Sequence, residues 1–210
     1  MKVIQWETAS TREQYGKTLV ELGEENSNIV VLGGDLNVST FTHLFGKAFP
    51  ERFFDFGAAE QNMISAAAGL AAAGKIPFCS TFAVFGTGRA FDQIRLGVAQ
   101  PSLNVKLVCT HAGLLTGEDG ISAQSIEDLA LMLSLPTMTV ITPSDAEETA
   151  LAVRAAADLK GPVYIRLFRP ATPMVHRGSC EFELGKAEVL KEGTDVGILA
   201  CGSMVSTALE

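Results

Sequence analysis

Apolar residues along the chain fall into short blocks that alternate between two spacings. Tyr15, Leu19, Val20 and Leu22 recur at helical spacing behind Ser10-Thr11-Arg12-Glu13, which has the spacing of a capping box, so a helix is predicted over 11–25. A continuous apolar run over 29–32 reads as a strand and ends in the Gly33-Gly34 turn. A short helix over 40–49, a strand over 53–56 and a small-residue helix over 60–73 come next. The alternation then continues with strands over 76–80, 105–109 and 138–141 and helices over 89–98 and 126–133. A second capping box, Ser144 to Glu147, opens a helix to about residue 157, and 163–167 makes a further strand.

Strands that are apolar throughout, each followed by a helix, predict an α/β fold: a mainly parallel sheet covered by helices on both faces. Ligands of such sheets gather at the carboxyl ends of the strands. Arg169 to Gly178, with two prolines, reads as a linker. Two new strands are expected beyond it, over 182–190 and 196–200, before the chain reaches Glu210 just inside a helix. About 35 residues cannot bury a core unaided, so this tail is expected to be the opening of a second α/β domain that is cut short. The domain boundaries expected are therefore 1–173 and 174–210.

Composition narrows the function classes. With 47% apolar residues in 210, the chain can bury a large core, and a net charge of -8 without any Lys/Arg cluster argues against a nucleic-acid surface. No stretch is apolar enough for a membrane span or a signal peptide, which points to a cytoplasmic protein. Cys79, Cys109, Cys180 and Cys201 stand far apart without a CxxC pair. Neither a metal site nor a disulfide framework is expected, and all four are read as reduced core residues.

Three segments at strand ends could carry chemistry. In Asp55-Phe56-Gly57-Ala58-Ala59-Glu60-Gln61-Asn62-Met63 a carboxylate opens a helix. It either answers the helix dipole or, flanked by phenylalanines and an Ala-rich helix, serves as a semi-buried acid. In Ser80 to Arg89, Phe82 and Phe85 are either core residues or a platform for a planar heterocycle beside opening glycines. Thr110 to Gly120 is a polar loop with His111, Glu118, Asp119 and three glycines, suited to a ligand at that edge. Gly33-Gly34-Asp35 belongs to neither GxGxxG nor GxxxxGK[ST].

The ordered runs RFFDFGAAEQNM, STFAVFGTGRAFDQIR, THAGLLTGEDG and TPSDAEE resemble the carboxyl-terminal, pyrimidine-binding subunit of a split transketolase. The resemblance covers nearly the whole chain and implies thiamine diphosphate as cofactor. It gives Glu60 the pyrimidine ring nitrogen, Phe82 and Phe85 the pyrimidine pocket, and Asp35 a place near the cofactor. It further implies a substrate-phosphate cage of Arg12, Ser39, His111 and Arg169, and has Asp119 read a substrate hydroxyl, so that Glu60, His111 and Asp119 are the catalytic candidates.

Two features depart from the family pattern. The histidine of the usual Gly-Glu-Asp-Gly-x-Thr-His loop is Ala123 here, and the tyrosine that usually follows the aromatic pair is Gly88. The Gly-Asp-Gly…Asn run that ligates Mg2+ and the diphosphate is missing, so those ligands are expected on an amino-terminal partner subunit in an α2β2 heterotetramer, with ketose and aldose phosphates as substrates in the pentose phosphate pathway. A deoxyxylulose-phosphate-synthase-like enzyme, a 2-oxoacid dehydrogenase beta subunit and a non-catalytic pseudo-subunit remain the alternatives.

Overall fold

A computed structural model describes residues 5–176, 178 and 180–210. The first four residues of the expected first domain, and Arg177 and Ser179 near the linker, lie outside the described residues. The body is a six-stranded parallel sheet in the order β3-β2-β4-β5-β7-β6. Its strands are β2 (Ile29–Gly33), β3 (Phe53–Asp55), β4 (Ile76–Ser80), β5 (Lys106–Cys109), β6 (Thr139–Ile141) and β7 (Val163–Arg166). The helices are α1 (Thr11–Glu25), α2 (His43–Ala48), α3 (Glu60–Ala72), α4 (Phe91–Gln93), α5 (Asp128–Leu133), α6 (Ala146–Asp158) and α7 (Met204–Leu209).

The continuous apolar runs are explained by two cores, one on each face. Successive side chains of a strand point to opposite faces. Val30 and Leu32 accordingly join Met63, Ile64, Cys79 and Leu107 on one side. Ile29 and Val31 join Tyr15, Leu19, Phe45 and Phe78 on the other. The helix starts follow local chemistry: Ser10 Oγ accepts from the Glu13 amide at 3.2 Å and caps α1. The cap of α6 is one residue later than predicted, because Asp145 accepts from the Glu148 amide while Glu148 reaches back to Ser144.

Four expectations need correction. The helix over 89–98 is instead the single short turn α4 between two wide i→i+5 turns, Val84–Arg89 and Ile94–Ala99. Such widened turns are frequent at functional sites. The linker is partly sheet, since β8 (Thr172–Pro173) pairs antiparallel with β1 (Thr8–Ala9).

Thirdly, no strand forms over 182–190 or 196–200 among the described residues. Val189, Val196, Ile198 and Leu199 are exposed, and among the described residues none of them pairs with a strand or joins a core. Fourthly, not all four cysteines are core. Cys79 and Cys109 are buried, whereas Cys180 is half-buried and Cys201 is exposed.

Among the described residues, no helix is long and apolar enough to cross a membrane.

Candidate functional site

Because every pairing in the large sheet is parallel, all six strands end on one side. The segments singled out from sequence follow β2, β3, β4, β5 and β7 at that side. The turn after β2 is held across to β3: Asp55 accepts from the Asp35 and Gly57 amides at 3.0 Å each and from Asn37 Nδ2 at 2.6 Å. Gly34 leaves little room for a side chain there, since a Cβ would lie 3.3 Å from Thr81 Oγ1. Asp35 itself adopts a left-handed φ of 65° with its side chain exposed, and no contact ties it to Glu60.

Glu60 stands at the first position of α3 and is only 1% exposed. A carboxylate in a helix's first turn meets the positive end of its dipole, so the dipole reading holds alongside the buried-acid reading. Burial of this kind requires a partner. It is Arg89, which the sequence reading left without a role: Nη1 donates to Glu60 Oε2 at 2.7 Å. The wide turn Val84–Arg89 brings that guanidinium back over the Phe85 ring, 4.7 Å from its centroid. The other carboxylate oxygen, Oε1, is 3.5 Å from Thr81 Oγ1. A cation at the end of a glycine-bearing turn that faces a buried acid was the signal available in sequence.

Phe82 and Phe85 lie nearly parallel, with ring centroids 5.9 Å apart and planes at 13°. They are not equivalent. Phe82 is buried and stacks on His111 with centroids 3.6 Å apart, whereas Phe85 is half-buried and offers surface. Of the two rings, Phe85 has the more accessible face.

The four expected phosphate contacts do converge. Arg12 donates to the main-chain carbonyls of Ser39 at 2.6 Å and Arg169 at 2.5 Å, so Ser39 joins through its backbone. The Arg12 Nε is buried without a hydrogen-bond partner among the described residues. Arg169 is engaged by Glu118 at 2.7 Å, by the Thr116 carbonyl at 3.2 Å and by Asp119 at 3.6 Å. His111 Nδ1 shares a 2.8 Å hydrogen bond with Thr110, and its Nε2 is 3.9 Å from Asp119. Ala123, in place of the family's histidine, is buried at 6% exposure, so its methyl fills a closed position in the loop.

Burial, and then the cations Arg12 and Arg169, outweigh Asp119 and depress the His111 pKa to about 4. The imidazole is thus neutral at pH 7. Between pH 4 and 6.5 the unfolded chain binds more protons at this position than the folded one, so stability falls as pH drops through that window and is complete above it. Thermal unfolding followed from pH 7 to pH 4.5 should show a steeper loss in the unsubstituted chain than in His111→Asn, and parallel curves would contradict it.

Fold and site together define a parallel α/β ligand-binding domain that carries a buried acid, an aromatic surface and a cationic pocket at the carboxyl edge of its sheet. Residues 7–174 match the family described as transketolase, pyrimidine binding domain, and the chain belongs to the transketolase family. It is 51% identical over 200 residues to the putative transketolase C-terminal section of Methanocaldococcus jannaschii, covering 94% of this chain and 63% of that protein. It is 42% identical over 198 residues to human transketolase, covering 94% of this chain but 32% of that protein. A solved split gene transketolase, described as an inactive beta4 tetramer, superposes with a TM-score of 0.87 at 55% identity, covering 97% of this chain and 66% of that one. The chain thus spans less than two thirds of the length of these two sequence relatives.

Proposed function

We propose that this chain supplies the pyrimidine-binding half of a thiamine diphosphate site in a split transketolase, with the diphosphate and Mg2+ ligands on an amino-terminal partner. The domain runs to about residue 173, and 174–210 is linker and the beginning of the family's carboxyl-terminal domain. The observation that carries this reading is Glu60: an acid with 1% exposure at the carboxyl edge, joined through Arg89 to the half-buried ring of Phe85. Those residues fit a flat, nitrogen-bearing ring, the carboxylate taking the ring nitrogen and the aromatic face covering the ring. When bound, thiamine diphosphate supplies the electron sink for breaking the bond beside a ketose carbonyl.

This chain's residues do the rest. Because Arg89 occupies Glu60 Oε2, Oε1 is the oxygen left to receive the ring nitrogen. Asp35 lies near the cofactor from the β2 turn. Neutral His111 and Asp119 bond substrate hydroxyls, and Arg12, Ser39, His111 and Arg169 hold the substrate phosphate. A planar guanidinium suits that role because it presents forked donors, and Arg169 would exchange the Glu118 carboxylate, which is exposed, for the phosphate.

Reconstitution tests the proposal directly. Two-carbon transfer from xylulose 5-phosphate to ribose 5-phosphate, with thiamine diphosphate and Mg2+, should require both this chain and the diphosphate-binding chain in an α2β2 assembly. Transfer by either chain alone would refute the split. Arg169→Ala should raise KM for phosphorylated sugars by roughly 10- to 100-fold, the cost of one charged hydrogen bond, with little change for unphosphorylated ones. Equal effects on both classes would remove Arg169 from the phosphate site.

A further inference from the structure

Away from the carboxylate and aromatic site, at the β6 edge of the sheet, the chain gathers His176, Cys180 and Glu188. One ligand atom from each lies within 4.8 Å of the others. We propose that these three side chains form a zinc(II) site that ties the segment after β8 to the body of the domain.

The cluster is held from behind. Asp145 accepts the amides of Glu148, Val175 and His176 at 2.9 Å each, and its Oδ2 lies 3.0 Å from His176 Nδ1. With Nδ1 committed to that carboxylate, Nε2 is the nitrogen presented outward, the arrangement by which metal-binding histidines are oriented. Glu188 Oε2 already lies 3.1 Å from Nε2. Glu147 accepts the Gly178 and Cys180 amides at 2.8 and 3.1 Å, which holds the backbone that brings the thiol back to the imidazole.

The Asp145–His176–Glu188 hydrogen bonds would be complete without an ion. What they do not use is the Cys180 thiol, which the Glu147-held backbone sets within 4.8 Å of both other ligand atoms. A tetrahedral ion with bonds of about 2.0–2.3 Å needs ligand atoms about 3.3–3.8 Å apart, so closure takes side-chain movements on the order of 1 Å. One nitrogen, one sulfur and one oxygen suit zinc, with a fourth position left for water. A cleft of about 410 Å³ bordered by Glu7, Glu147, Met174 and His176 gives an ion entry.

A physical benefit follows from the lack of packing downstream. Residues 189–201 are exposed throughout, so the segment has little apolar burial to hold its course. A metal clip supplies order where a core cannot.

Titration of the metal-free, reduced chain with Co2+ tests this. The expected result is one Co2+ per chain with the near-ultraviolet thiolate-to-cobalt absorption, displaced by one equivalent of Zn2+. Cys180→Ser should abolish the band and Glu188→Ala should weaken binding, while Cys201→Ser leaves both intact. Asp145→Asn should weaken affinity about 10- to 100-fold by loosening the imidazole. Circular dichroism of each variant separates lost binding from lost fold. No band, a band that survives Cys180→Ser, or one that depends on Cys201 would overturn the proposal.

Discussion

On the proposed function, Glu60→Gln should lower two-carbon transfer by the assembled enzyme by about 10²- to 10⁴-fold, the range that a positioned proton-transfer group contributes. The substitution keeps the shape and one hydrogen-bonding oxygen of a side chain that is almost fully enclosed at the start of α3. What it removes is the negative charge and the capacity to take and return a proton. Arg89 loses its ion partner, but its side chain is 43% exposed and can turn to water, so the fold should tolerate the change. Transfer rates measured with both chains, together with cofactor binding by calorimetry, decide the matter. Cofactor binding that persists while the rate collapses is the expected pattern, and transfer at the unsubstituted rate would dismiss Glu60 as the pyrimidine acid.

Asp128→Ala destabilises the chain by about 3–5 kcal/mol, because it strands a charge that the fold has desolvated. Asp128 is fully buried and accepts from Tyr164 Oη and Arg166 Nε, both at 2.7 Å. Tyr164 is also fully buried, so its hydroxyl would be left without a partner. At about 2–4 °C per kcal/mol for a chain of this size, the melting temperature should fall by roughly 6–20 °C.

The same substitution reaches the site. A Cβ built on Gly113 would come within 3.0 Å of Arg166 Nη2, so a freed guanidinium disturbs the base of the loop that carries His111 and Asp119. A melting temperature within 2 °C of the unsubstituted chain would show that the buried pair contributes nothing.

Much of the fold is legible in the sequence because its physical causes are local. The strand over 76–80 and the helix over 11–25 are found as expected, since an unbroken apolar run and a capped 3.6-residue period admit few other structures. The parallel sheet follows from the alternation of the two, and with it the edge where Glu60, Phe82, Phe85 and His111 must gather. The wide turns on either side of α4 were not legible, because an extra residue in a helix turn leaves the apolar pattern nearly unchanged. The missing tail strands have a different cause. Alternating apolar residues state a preference for pairing, but a strand exists only where a neighbour completes its hydrogen bonds.

The sequence by itself determined the two-faced sheet, its ligand-bearing edge and the residue types available for chemistry there, since hydrophobic period, capping and turn chemistry act over a few residues. Only the tertiary structure decided which groups meet. Arg89 reaches Glu60 across 29 positions, Arg12 reaches the Arg169 carbonyl across 157, and His176 finds Glu188 across 12. Such contacts depend on chain path and crossing elements, and a short window of residues carries no record of either.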